Sequence, residues 1–164
     1  MDRFAALHYG LPPRRVEAMD PQHRLMLDVT REALDDAGLG RGGFDRERTG
    51  VFIGMSTSDY RELLTARLRA LQLADDRSAV KDLATRRSPR RRVHAAGEPA
   101  QHAPATVSRH FGLGGPSFVV DAACSGSLIA LDQAVLHLRQ GTCRVAVVGG
   151  VHLSLTPDSL VGFS

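Results

Sequence analysis

Asp121-Ala122-Ala123-Cys124-Ser125-Gly126-Ser127 places one thiol between two apolar runs of different period. The run before it, Ser117-Phe118-Val119-Val120, reads as a buried strand, and the run from Ser127 to Gln140 reads as a helix that stops at Gly141. A cysteine at that junction lies at a helix N-terminus, where unpaired backbone N–H groups and the helix dipole favour a thiolate. Small neighbours on both sides leave a substrate room to reach the sulfur. This is the arrangement of a nucleophile elbow with cysteine as the attacking group. On residue types alone a buried structural cysteine fits Cys124 equally well. Cys143 falls between a helix and a strand, where a packed core thiol is expected.

The elements that must hold this turn are legible on either side of it. In the helix after the cysteine, Leu128, Leu131, Val135 and Leu138 make a continuous apolar face. The strand before it is expected over Ser117–Ala123 and a further strand over Arg144–Val151. That last strand is apolar on both faces, as in a covered parallel sheet. Strand, helix and strand form a βαβ unit, for which a right-handed crossover is the rule.

Upstream, residues 1–19 read as irregular, with Gly10 and Pro12-Pro13 as breakers. Asp20 is a good N-cap and Pro21 suits a first helical position. Leu25, Val29 and Ala33, flanked by Met26 and Leu34, predict a helical apolar face, and Gly38 ends it. Thr49–Gly54 reads as a short buried strand. A helix near Ser58 carries Tyr60, Leu64, Leu68 and Leu71. Residues 75–105 hold Arg86, Arg87, Arg90, Arg91 and Arg92, three prolines and few large apolar residues, which predicts a loop or insert. Order resumes near Thr106.

The bulk numbers exclude several classes. At 164 residues and 43% apolar the chain builds a real core, with 5% aromatic content leaving aliphatic residues to fill it. A net charge of +3 does not argue for nucleic acid. The arginine cluster has no interleaved aromatics and reads as a solvated loop. Two cysteines make no disulfide framework, and no Cys/His spacing suggests a metal. The glycines at 112, 114, 115, 149 and 150 fit no phosphate-binding spacing. The N-terminus lacks a signal peptide's apolar core, and no run approaches the roughly 20 apolar residues of a membrane span. A cytoplasmic, reducing environment with no membrane partner is the expectation.

Asp121–Leu131 resembles the active-site motif of β-ketoacyl synthases in its type I polyketide synthase form, D-T-A-C-S-S-S-L-V-A-L. Three further stretches match in order. Ala18–Leu27 is similar to A-M-D-P-Q-Q-R-L-L-L, Gly112–Ser117 to G-L-x-G-P-S, and Val147–Leu153 to the following V-G-G-V-N-L. Residues 75–105 fall outside the pattern. The resemblance implies an α/β fold, a partial thiolase-like α-β-α-β-α sandwich of which residues 1–164 would form the N-terminal part. It implies that Cys124 accepts an acyl group from a carrier-protein thioester, its backbone N–H serving as one oxyanion donor. The acyl-enzyme would then undergo decarboxylative Claisen condensation with a malonyl-type extender. No cofactor is implied in the chain itself, since acyl groups arrive on the phosphopantetheine of an acyl carrier protein. A homodimer or a complementing C-terminal half are the other implied partners.

The sequence departs from that family in definite ways. The H-G-T-G-T motif and the Lys-preceded G-H motif, which supply two histidines and a lysine, do not occur in these residues. Condensation by this chain alone is therefore not expected. Arg86–Pro99 does not read like the family, as a frameshifted or decayed segment would. A non-catalytic dimerisation module built on Ser117–Val120, or a gene remnant, is the alternative. Gly126 stands where serine is usual, a mild change. His110 and His152, the histidines to weigh as bases for Cys124, read as ordinary polar positions.

Overall fold

Thr49-Gly50-Val51-Phe52-Ile53-Gly54 follows a turn at Glu47-Arg48 and is apolar on both faces, and it forms the central strand, β1 (Thr49–Gly54), buried along its whole length. The computed structural model describes residues 4, 6–73, 102–157, 161, 162 and 164. They divide into two compact units, one formed by Gln22–Thr57 with Ala100–His152, the other by Met1–Pro21, Ser58–Pro99 and Leu153–Ser164.

The first unit is a parallel α/β layer. β2 (Ser117–Val120) and β3 (Val145–Gly150) flank β1, both parallel to it, in the order β2-β1-β3. The register pairs Phe52 with Phe118 and Val148, and Gly54 with Val120 and Gly150. Parallel strands need long crossovers, and the helix after the cysteine turn carries the one from β2 past β1 to β3. It spans Gly126–Arg139 and packs against all three strands. Side chains alternate across a sheet, so Phe52, Phe118, Val120, Ala146 and Val148 share one face. There they pack with Ala130, Ala134 and Cys143 to form a core. Phe52 meets Phe118 edge-on, with ring centroids 5.1 Å apart, and lies 5.2 Å from the His137 ring. The opposite face carries Gly149, against which Met26 packs so closely that a Cβ there would lie 2.9 Å from Met26 Cε.

Met26 belongs to α2 (Pro21–Asp36), which ends as expected at Gly38, φ +72°. Leu39 N–H reaches Leu34 O and Gly38 N–H reaches Asp35 O, satisfying two terminal carbonyls. Its buried side is not the expected one. Met26, Leu27, Thr30 and Leu34 are buried with His23, whereas Val29 is 45% exposed. The stripe is rotated by about one residue because polar His23 and Thr30 lie on the packed side, which an apolar count does not register. The remaining helix of this unit is α4 (His102–Phe111), with Pro104 in its first turn and Ala103, Pro104 and Val107 buried. It begins earlier than the expected return to order near Thr106. Of the stretch expected as a loop, 102–105 are therefore helical and the rest lies outside the described residues.

The helix over Gly126–Arg139, α5, also reverses its expected orientation. Gly126, Ala130 and Ala134 are its buried residues, while Leu128 is 70% exposed and Leu131 and Leu138 are exposed with it. Small residues at i, i+4 and i+8 let the helix backbone approach the sheet, and leucine at those positions would hold it off. At the other end of the sheet, two arginines close helix C-termini. Arg46 donates to Phe111 O at the end of α4, and Arg48 donates to Gly141 O after α5. Each places a cation where the helix dipole is negative.

In the second unit, α1 (Pro13–Ala18) occupies part of the segment expected to be irregular, with Pro13 at its first position, where a missing N–H costs nothing. α3 (Asp59–Leu73) starts near Ser58 as expected, and Ser58 Oγ accepts from Arg61 N–H as an N-cap. The Ser58 hydroxyl also donates to the carboxylate of Asp20, which is fully buried. Asp59, itself buried, accepts from Leu155 N–H at 2.9 Å, Thr156 N–H at 3.1 Å and the Thr156 hydroxyl at 3.2 Å.

Candidate active site

The strand before the cysteine is shorter than expected, because the chain leaves the sheet at Val120 rather than continuing to Ala123. Ala122 adopts φ −143°, ψ 41°, and Ala123 has φ +47°. Among the described residues Ala123 is the one non-glycine residue with a positive φ. A left-handed backbone at a residue carrying a Cβ costs on the order of 1 kcal/mol. A single 3-10 turn over Ala123–Ser125 follows, closed by Ser125 N–H to Ala122 O and Gly126 N–H to Ala123 O, and α5 starts at once. Cys124 is the middle residue of that turn and is exposed. Ser125, at the N-cap of α5, makes no side-chain cap hydrogen bond. A thiol, open to solvent, thus sits just ahead of a helix whose first amides no side chain of Ser125 covers.

What brings α5 to this place is a junction of small residues at the carboxyl ends of the strands. A Cβ on Gly54 would lie 2.4 Å from Gly126 C and Ser127 N, and one on Gly150 would lie 2.7 Å from Ser127 Cβ. The end of β1 therefore meets the first turn of α5 backbone to backbone, and the end of β3 meets the Ser127 side chain, only because these positions lack a side chain. The ladder runs one residue further on each side, with Met55 N–H to Val120 O and Val151 N–H to Gly54 O. Gln22 Nε2 donates to Thr57 O at 3.1 Å and ties down the backbone that follows β1. The carboxyl edge of a parallel sheet is where α/β proteins bind their ligands. At Gly126 a Cβ would lie 3.3 Å from Val120 O and 3.4 Å from Gly54 Cα, so a serine there needs a shift of a few tenths of an ångström.

The other candidates fall elsewhere. Cys143 is buried in the core, and burial pushes its thiol above the ordinary value, opposed by the Gly50 backbone hydrogen bond and the Arg48 charge. It is the packed core thiol expected of it. His110 lies near the end of α4 with its ring edge-on to Phe111, centroids 5.0 Å apart. His152 is exposed, two residues beyond β3. Among the described residues no group of three His, Cys, Asp or Glu could hold a metal ion, and no helix is long and apolar enough to cross a membrane. Sequence reasoning missed Gly54, which no local pattern distinguishes from an ordinary strand-end residue, and it gave Gln22 and Gly150 a place in matching motifs without a role at the turn. It read Asp20 only as a cap, whereas its carboxylate is an internal acceptor.

Comparison with known proteins matches the whole of the chain. The profile described as "Beta-ketoacyl synthase, N-terminal domain" matches residues 1–164. The cyclo-acetoacetyl-L-tryptophan synthase of Aspergillus oryzae is 40% identical over 162 residues, 99% of this chain and 4% of that protein. The spectinabilin polyketide synthase system protein NorC of Streptomyces orinoci is 40% identical over 163 residues, 99% of this chain and 6% of that protein. The solved ketosynthase from module 6 of the bacillaene synthase of Bacillus subtilis 168 superposes with TM-score 0.72 at 27% identity, over 98% of this chain and 23% of that one. The chain thus spans a small fraction of the proteins it matches, and its parallel sheet and crossover helix are those of a thiolase-like fold. On these matches the chain belongs to the β-ketoacyl synthase family, matching the N-terminal domain of polyketide-synthase ketosynthases.

Proposed function

We propose that Cys124 is an acyl acceptor. The observation that carries this reading is the exposed thiol on a tight turn that feeds directly into α5, at the carboxyl edge of the sheet, in a chain of this family. The acyl group arrives as a thioester on the phosphopantetheine arm of an acyl carrier protein. Cys124 Sγ adds to the thioester carbonyl carbon, and the backbone N–H of Cys124 donates to the oxyanion that forms. The tetrahedral adduct then expels the carrier sulfur. One C–S bond forms, one breaks, and the proton lost by Cys124 ends on the carrier thiol.

Carbon–carbon bond formation needs groups these 164 residues do not contain, since neither histidine motif occurs. Groups that act as a unit lose several orders of magnitude when one is missing. Condensation therefore belongs to an assembly in which a complementing ketosynthase part supplies them, in the cytoplasm. The exposed leucines of α5 favour such a partner, because they form an apolar face with nothing among the described residues over it.

Intact-mass measurement after exposure to an acyl thioester tests the reading, with Cys124→Ala as control. One acyl adduct on the native chain and none on the variant is the expected outcome. A native chain without an adduct would sink it. A second reading, a non-catalytic pairing module, is favoured by the position of β2 at the sheet edge, where among the described residues no further strand pairs with it. It predicts dimers in sedimentation without any adduct.

A further inference from the structure

We draw no further inference here: the strongest candidate, the exposed leucine face of α5 at Leu128, Leu131 and Leu138, carries nothing, because nothing among the described residues shows what covers it.

Discussion

At the scale of single residues, the glycines at 54 and 126 differ in what they permit. Gly54 has no room for a Cβ at 2.4 Å from main-chain atoms, and main chain on two packed elements cannot give way. Gly54→Ala is expected to destabilise the chain by about 1–3 kcal/mol and to displace the cysteine turn. Gly126→Ser restores the residue that the family's motif carries and needs only a small shift, so a loss below about 1.5 kcal/mol is expected. Urea melts of both variants check the contrast. The two cysteines separate in the same way. In the native chain a disulfide reagent such as dithionitrobenzoate reacts at once with Cys124 and reaches Cys143 only on denaturation, and in Cys124→Ala the fast phase disappears. Burial raises the Cys143 thiol above its ordinary value of 9.0. Above that value the unfolded chain releases a proton the native chain still holds. The unfolded state then binds fewer protons, and stability falls as pH rises. Cys143→Ala removes this component, so stability measured from neutral to alkaline pH is expected to decline less steeply than in the native chain.

At the scale of elements, α5 shows how a helix can have an apolar face and bury another. Its leucines read as the core side by periodicity, yet the sheet takes Gly126, Ala130 and Ala134. Ala130→Leu is expected to cost about 1–3 kcal/mol through overpacking, while Leu128→Glu costs less than about 0.5 kcal/mol in this chain. Thermal unfolding of the pair distinguishes the two faces. α3 offers a second element-scale expectation. Asp59→Ala leaves the Leu155 and Thr156 amides without the carboxylate they donate to, and a loss of about 1–3 kcal/mol is expected in denaturant unfolding. Element existence was legible from the sequence: β1 occupies Thr49–Gly54, α2 stops at Gly38 and α5 at Gly141, because turn glycines and short apolar runs carry strong local signals. Which side of α2 and of α5 is buried was not legible. Leu, Met and Ala all count as apolar, but only side-chain size decides how near a helix can lie.

At the scale of the whole chain, the residues cover about a quarter of a solved ketosynthase, and the large leucines of α5 face outward. Clustered exposed leucines drive association when nothing covers them. Purified chain is expected to bind a hydrophobic dye and to self-associate at micromolar concentration. The double variant Leu128→Glu, Leu131→Glu is expected to reduce both, as read by dye fluorescence and sedimentation. The candidate site divides along the same line. Cys124 and its turn stood out in the sequence because a motif of consecutive residues carries them. Gly54 did not, because it reaches the turn from a strand far away along the chain. By itself the sequence determined the family, the order of strands and helices around the cysteine, and the absence of both histidine motifs, all of which are written in local residue order. Only the tertiary structure decided that small residues rather than leucines hold α5 to the sheet and that Ala123 takes a left-handed backbone before Cys124. Those outcomes depend on how closely segments distant in sequence can approach, and that is a property of packed backbone rather than of any single stretch.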